Sequence, residues 1–144
     1  MRSPTSFWER LFAGSSFSHF KAPGVVSGCS YSTKIAVVLK GKNKASFVPH
    51  LDNGDYVIVT NCDKFNVTGK KLSDKMYYRH TGYLGGLKEI SLEDLLTKKP
   101  TKALELAVTW MLPKNKLRSG MLSRLKLFTW DEHSFVAQQP ELIK

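Results

Sequence analysis

The apolar positions of this chain fall into short runs with two different patterns. Five consecutive apolar residues in YSTKIAVVLK (31–40) lie between lysines and precede Gly41, which favours a helix that ends at a glycine cap. The β-branched run YVIVT (56–60) is apolar without alternation, as is typical of a strand buried on both faces. Between them, HLDNGDY predicts a tight turn, because Asp-Asn-Gly supplies positions that tolerate positive φ.

The middle of the chain predicts one more strand and two helices. KFNVTGKK (64–71) is predicted to be a short strand that runs into a basic turn at Gly69. Ser91, followed by Asp94, forms an acidic capping box and predicts a helix over 92–98 that stops before Pro100. Thr101 is predicted to cap a second helix, KALELAVTWML. That helix is apolar nearly all round, so we expect it to be deeply packed.

The C-terminal third predicts a helix, a strand and a tail. NKLRSGMLSRLK places Leu117, Met121, Leu122 and Leu125 on one helical face. KLFTW (126–130) is predicted to be a closing strand, and residues 131–144 a polar tail. Strands that alternate with helices predict an α/β fold with a small, mainly parallel sheet.

The net charge of the chain indicates which class of molecule it binds. A formal net charge of +10 over 144 residues does nothing for the fold and argues for a polyanionic partner. Nucleic acid is favoured over an acidic membrane surface, because no basic amphipathic helix of the interfacial kind stands out. No apolar stretch approaches the length of a membrane span. Cys29, Cys62 and the four histidines show no metal-ligand spacing, so we expect no metal and no cofactor.

Basic residues are gathered into segments that hold few acids. Lys40, Lys42 and Lys44 lie within five positions. From Lys64 to Lys88 there are six lysines and arginines and one acid, and from Pro113 to Lys126 there are five and none. A solvated surface normally mixes signs, so this segregation is the pattern expected of a phosphate-binding surface. The alternative is a basic face that serves solubility alone.

The segment YYRHTGYLGGLK (77–88) combines aromatic, basic and glycine residues. Its tyrosines can stack on unpaired bases, its Arg79 and Lys88 can bind phosphates, and its glycines can bring backbone N–H groups close to a phosphodiester. A catalytic role for His80 needs a nucleophile or an orienting acid nearby, and the nearest acid in sequence is Asp74. We therefore predict a clasp for RNA, with core tyrosines and a hydrogen-bonded histidine as the structural alternative.

The first 34 residues have the composition of an organellar transit peptide. They contain eight serines, four basic residues and one acid, Glu9. We expect residues 1–30 to be an uncleaved basic extension that becomes ordered only in a complex, and residues 31–144 to form a single domain.

Several motifs together resemble the bacterial-type ribosomal protein L13 family of the large subunit. These are DKMYYRHTGYLGGLK (74–88), AVTWMLPKN (107–115), RLKLF (124–128), GDYVIVTN (54–61), VTGKK (67–71) and LKGKNKASFVPHLDNGDY (39–56). The resemblance covers residues 30 to 140. It implies a three-layer α/β/α domain around a small parallel sheet of about four strands, no enzymatic activity and no small-molecule substrate. The implied partners are large-subunit ribosomal RNA and, through residues 1–30, neighbouring ribosomal proteins.

The resemblance also implies a set of RNA contacts. Carried over position by position, they are Lys70, Lys71, Lys75, Arg79, His80, Thr81, Gly82, Tyr83, Gly85, Gly86, Lys88, Lys114, Asn115 and Lys116. The charge pattern adds Lys40, Lys42, Lys44, Arg118 and Arg124.

The chain departs from the family pattern in several places. Leu84 stands where the family's loop usually has proline, and His133-Ser134-Phe135 stands for its histidine-proline-histidine. The family's first strand is either degenerate in residues 20–27 or replaced. This drift and the N-terminal composition predict a mitochondrial member, located in the matrix ribosome, with a plastid origin as the alternative. The rival functions are a free RNA-binding assembly factor or translational regulator and, more remotely, a nucleotide-handling enzyme that uses His80.

Overall fold

A computed structural model of the chain describes residues 17–21, 28–64 and 66–142. Its strands are β1 (Phe17–Lys21), β2 (Tyr56–Thr60), β3 (Met76–His80), β4 (Leu87–Ser91), β5 (Leu125–Leu127) and β6 (Glu141–Leu142). Its helices are α1 (Gly28–Lys40), α2 (Lys71–Asp74), α3 (Leu92–Lys98), α4 (Pro100–Met111) and α5 (Arg118–Ser123). Two 3₁₀ helices span Cys62–Lys64 and Val136–Gln138.

Four strands form a parallel sheet in the order β5-β2-β1-β6. The strand β2 lies inside this sheet, and its Val57, Ile58 and Val59 are fully buried. Unbroken apolarity is what a strand covered on both faces requires, so the prediction for YVIVT is confirmed. The predicted α/β class with a small, mainly parallel sheet of four strands is also confirmed.

The two faces of the sheet are covered differently. Val57 and Val59 belong to one core cluster with residues of α1, α4 and α5, including Leu39, Leu104 and Met121. The opposite face carries His19, whose ring lies 5.1 Å, centroid to centroid, from the ring of His133. The sheet therefore lies between a layer of helices and the segment that follows β5.

The strand β1 lies in the region that we expected to form the extension. Its residues 17–21 pair with β2 on one side and with β6 on the other, so the sheet begins before residue 31. Phe20 and Ser18 are buried, and β1 has the central place because its backbone groups are hydrogen-bonded on both edges. Residues 1–16 and 22–27 lie outside the described residues, as does most of the 20–27 candidate for a first strand.

Three predicted elements differ from the structure. Of the described residues in 64–71, which exclude 65, none belongs to a strand element; Gly69 (φ +70°) turns the chain into α2, and the Ser73 hydroxyl donates to the Lys70 carbonyl. Thr101 does not cap α4, since Pro100 occupies its first turn, where a proline lacks only an N–H that would have no helical partner. The predicted tail contains β6, and the closing strand ends at Leu127.

The predicted helix ends and faces are largely confirmed. The helix α1 ends at Lys40, and Gly41 follows it with φ +74°. Ser91 caps α3 by accepting a hydrogen bond from the Asp94 N–H. The four leucine and methionine residues predicted for one face around α5 all lie in or against the main core. The helix α4 is not packed all round, because Trp110 is exposed.

The glycine of the Asp-Asn-Gly turn is needed for space and not for its φ. A Cβ on Gly54 would lie 1.8 Å from the Leu39 carbonyl oxygen, and Gly54 is not among the glycines with positive φ. The turn that connects α1 to β2 therefore runs directly against the end of α1. None of the helices in the described part of the chain is long and apolar enough to cross a membrane.

Two buried titratable groups predict how stability depends on alkaline pH. Burial raises the pKa of the Cys62 thiol to about 12 and also raises the pKa of the Tyr31 hydroxyl. Because the unfolded chain loses these protons first, the free energy of unfolding should fall as pH rises from about 8.5, and Cys62 should contribute on the order of 3 kcal/mol of that fall by pH 11. Cys62→Ala should therefore show a shallower decline in urea unfolding experiments between pH 8.5 and 11.

The matched variant is Tyr31→Phe, which removes the second buried proton and leaves the ring that packs edge-on against Phe20. It should flatten the pH dependence further in combination with Cys62→Ala. Parallel curves for wild type and both variants would contradict this assignment.

Candidate nucleic-acid interface

The strands β3 and β4 form an antiparallel hairpin that is separate from the main sheet. Tyr77 and Ile90 are opposite each other in the register and pack against a small core cluster of Leu92, Leu95 and Ala103. This cluster fixes the hairpin on α3 and on the N-terminal half of α4. The segment predicted as a loop is thus a hairpin with one anchored face.

Two like charges lie opposite each other near the end of this hairpin. Arg79 and Lys88 are partners in the register, and both side chains are exposed. Directly opposed like charges on a strand pair are destabilising. An anion bound between them relieves this repulsion, so the pair has the electrostatics of a phosphate contact.

The turn at residues 81–86 is closed by its own hydrogen bonds. The Thr81 N–H donates to the Gly86 carbonyl at 3.0 Å, and the Gly86 N–H donates to the Tyr83 carbonyl at 2.9 Å. A Cβ on Gly86 would lie 2.8 Å from the Tyr83 carbonyl oxygen as well as 2.0 Å from the Thr81 Oγ1, so the backbone leaves room only for glycine there. The Gly82 N–H donates to the His80 Nδ1. The N–H groups of Gly82 and Gly86 therefore hold the turn instead of serving a phosphate.

His80 has no partner for catalysis in the described structure. Its Nδ1 accepts from the Gly82 backbone at 3.0 Å, so the neutral ring carries its proton on Nε2. Across residues 17–21, 28–64 and 66–142, no carboxylate, hydroxyl or thiol is hydrogen-bonded to it. Beyond His80, the tip presents two large exposed side chains, Tyr83 and Leu84.

A second group of lysines stands at the base of the hairpin. Lys70, Lys71 and Lys75 surround α2, and all three are exposed. The Lys75 Nζ lies 5.3 Å from the centroid of the Tyr77 ring. Lys75 directly precedes β3, and its carbonyl accepts a hydrogen bond from the Leu92 N–H, so these cations adjoin the hairpin that carries Arg79 and Lys88.

The segment after α4 presents Lys114, Asn115 and Lys116, which are all exposed. Arg118 does not share this exposure, because its Nε donates to the Pro113 carbonyl at 2.9 Å and its Nη2 to the Leu112 carbonyl at 3.0 Å. Arg118 therefore satisfies carbonyls at the end of α4 and shapes the turn that carries the two lysines.

Some of the cations that the charge pattern added to the predicted RNA contacts are bonded to carboxylates of the protein itself. Lys44 Nζ lies 2.5 Å from Oδ1 of Asp55, whose side chain is fully buried. Arg124 forms a two-bond pair with Asp52, with its Nη1 donating to Oδ2 at 2.8 Å. Lys42 is exposed and Lys40 half-buried. Three of the cations predicted to bind RNA, including Arg118, thus stabilise the fold.

The structure places the predicted residues in two regions. The hairpin packs on the N-terminal half of α4, and the lysines at 114 and 116 follow its C-terminal end. A helix of 12 residues is about 18 Å long, so the part of α4 that packs on the hairpin and the turn that carries these lysines lie toward opposite ends of the helix. The segment 40–44 belongs with the second group, because Lys44 pairs with Asp55 and the neighbouring Asp52 pairs with Arg124.

The fold and the charged surface define the class of protein. It is a small basic α/β domain whose exposed cations are concentrated in acid-poor segments. Comparison with known proteins identifies the family within that class. The sequence profile of the family described as Ribosomal protein L13 matches residues 27–134.

Relatives named "Large ribosomal subunit protein uL13" are similar over most of the chain. The protein of Clostridioides difficile is 54% identical over 112 residues, which cover 78% of this chain and 78% of that protein. The protein of Natranaerobius thermophilus is 56% identical over 110 residues, 76% of this chain and 77% of that protein. The protein of Nitratidesulfovibrio vulgaris is 53% identical over 110 residues, 76% of each.

The chain therefore belongs to the Ribosomal protein L13 family, as its motifs predicted. The family is one of structural ribosomal proteins, and the chain is not an enzyme. The residues assigned to RNA binding remain predictions, and the same holds for the mitochondrial origin, since the three relatives named above are bacterial.

The partly buried pair of Asp52 and Arg124 predicts a large coupling energy. Its side chains are 24% and 13% exposed, so removal of either partner leaves a charge in a poorly hydrated site. We expect Arg124→Ala to lower the free energy of unfolding by about 3 kcal/mol and the Asp52→Ala, Arg124→Ala double variant to cost less than the sum of the single variants. Urea unfolding of the four proteins measures the coupling.

The control is the pair of Lys102 and Glu105, which lies along α4 with side chains 44% and 41% exposed. Its coupling energy should be about 0.5 kcal/mol or less. Equal coupling in the two cycles would show that burial does not strengthen the Asp52 pair.

Proposed function

We propose that this protein is a structural constituent of the large ribosomal subunit and that it binds large-subunit ribosomal RNA. The observation that carries the proposal is the hairpin, in which Arg79 opposes Lys88 beyond an anchored core and the lysines around α2 stand at its base. The names of the relatives identify the large subunit as the assembly. A charge of +10 with acid-poor segments supports a polyanionic ligand.

The contacts are divided between direct and indirect roles. The direct set comprises the residues of the hairpin and its base together with those that follow α4, namely Lys70, Lys71, Lys75, Arg79, His80, Thr81, Tyr83, Lys88, Lys114, Asn115 and Lys116, with Lys40 and Lys42 beside them. Lys44, Arg118 and Arg124 act as positioning residues through their internal bonds. Gly82, Gly85 and Gly86 act by shaping the turn, two of them through φ values of +95° and +71°.

Two separated clusters suit a protein that organises RNA. With one cluster toward each end of α4, the domain can hold two separate RNA segments, while the core keeps their spacing constant. This arrangement fits a structural role better than a regulatory one. A free assembly factor or translational regulator on the same fold remains the rival, and sedimentation separates the two.

The finer part of the proposal is a mitochondrial location, with a plastid as the alternative. It is supported by the first 34 residues, in which eight serines and four basic residues accompany one acid. The start of the chain is proposed to contact neighbouring ribosomal proteins and to become ordered in that complex. Residues 1–16 lie outside the described residues, and β1 already belongs to the sheet.

Charge reversal in the hairpin cluster should weaken RNA binding. The triple variant Lys70→Glu, Lys71→Glu, Arg79→Glu removes three cations that face phosphates. Its affinity for large-subunit ribosomal RNA should fall by about tenfold or more, and the slope of log K against log salt should become shallower by about two to three. Binding titrations between 50 and 200 mM KCl measure both quantities.

The matched control reverses three exposed lysines outside the predicted set, Lys34, Lys98 and Lys99. It has the same net charge as the first triple variant, so it reports the effect of total charge alone. If both triple variants lose the same affinity and slope, the hairpin is not a specific RNA contact.

Sedimentation tests the assembly and the compartment together. In gradients of lysed mitochondria, the protein should remain in the large-subunit peak in stoichiometric amount after a high-salt wash, with RNA crosslinks at 70–88 and 114–116. Weak or transient association there would favour the assembly factor. Stoichiometric recovery from plastid or cytosolic ribosomes alone would refute the mitochondrial location and leave the ribosomal role in place.

A further inference from the structure

Trp110 is a large apolar side chain that lies on the surface, where it does not contribute to the core. The side chain is 73% exposed in the last turn of α4, while Leu104 and Val108 of the same helix are buried in the core. Neither core cluster includes Trp110. A large flat apolar group held in solvent is the kind of surface feature that marks a contact.

Lys114 holds its charge beside this ring. Its Nζ lies 5.5 Å from the centroid of the indole, within the range of a cation–π interaction. The turn between the two residues is shaped by Arg118, which donates to the carbonyls of Leu112 and Pro113. An aromatic face and an ammonium group are therefore presented side by side by a turn that is itself hydrogen-bonded.

The geometry points to Trp110 and Lys114 as a stacking site for an unpaired nucleotide of RNA, an assignment that rests on the proposed function. The indole stacks on the base, and the lysine binds the adjoining phosphate. The nucleotide has to be unpaired because the faces of bases within an RNA helix are covered by their neighbours. The site lies at the end of α4 opposite the hairpin, so it adds base recognition to the second cluster.

The surroundings favour a nucleotide over a protein side chain. The segment from Pro113 to Lys126 contains no acid, its Lys114 and Lys116 are exposed, and Glu105 on the same helix as Trp110 is paired with Lys102. A flat apolar surface in a basic environment complements a ligand that is both aromatic and anionic. A nucleotide has both properties in one unit.

Substitution of Trp110 should weaken RNA binding without altering its salt dependence. Trp110→Ala should reduce the affinity for large-subunit ribosomal RNA by about tenfold at unchanged salt slope, because a stacking contact and no phosphate contact is lost. Trp110→Phe should retain most of the affinity, and Lys114→Ala should make the slope shallower by about one. An unchanged thermal midpoint in each variant shows that the fold is intact.

The matched control is Trp130→Ala, since that indole is 75% exposed but lies outside the basic segments. It should bind RNA as wild type does. Equal losses in Trp110→Ala and Trp130→Ala would overturn the assignment, because they would show that the loss is not particular to one site.

Tryptophan fluorescence tests whether the bound nucleotide is unpaired. In the variant Trp8→Phe, Trp130→Phe, the fluorescence of Trp110 should be quenched by a single-stranded oligoadenylate and not by a fully paired RNA duplex. Equal quenching by both would overturn the requirement for an unpaired base.

The remaining outcomes separate this inference from the proposed function. Wild-type RNA affinity in Trp110→Ala overturns the stacking site, and the RNA-binding role survives if the hairpin triple variant is still impaired. If Trp110→Ala binds RNA as wild type does but is lost from the large-subunit peak, the stacking site is overturned and Trp110 contacts a neighbouring protein instead. If the hairpin variant also binds normally, the proposed function itself fails.

Discussion

Two carboxylates in the turn before β2 hold together the end of the domain on which the second basic cluster is built. Asp55 is fully buried beside Lys44, and Asp52 is paired with Arg124, which directly precedes the neighbouring strand β5. A buried carboxylate is stable only with a compensating cation, so these pairs bring residues far apart in sequence to fixed places. Gly54 lies between them against the end of α1, where no larger residue fits. The turn, α1 and α5 are thereby fixed against one another.

This constraint explains why basic residues of this chain have two different tasks. Cations that meet a carboxylate or a helix-end carbonyl are withdrawn from the surface, as Arg118 and Arg124 are. Cations that lack such partners remain exposed, as Arg79 and Lys88 do despite their repulsion. The first group determines where the second stands, and α4 determines the distance between the two exposed clusters.

Patterns of local sequence predicted those parts of the fold that depend on local physics. Backbone preferences and the spacing of apolar residues can be recognised within about ten residues. They account for the helix before Gly41, the cap at Ser91 and the buried run of β2. Residues 64–71 misled the prediction because their few apolar residues resemble a strand, while Gly69 turns the backbone. The polar appearance of the C-terminal segment concealed β6, whose place is fixed only by pairing with β1.

The sequence by itself determined the family, the α/β class and the acid-poor segments, because motifs, periods and charges are properties of neighbouring residues. The tertiary structure decided the central place of β1, the pairing of Arg79 with Lys88 and the internal use of Lys44, Arg118 and Arg124. It also decided that Trp110 is exposed beside Lys114 although its helix pattern predicted burial. The sign of a side chain's charge follows from the residue type. Whether that charge pairs with a carboxylate or remains in solvent depends on which distant segments the core brings together.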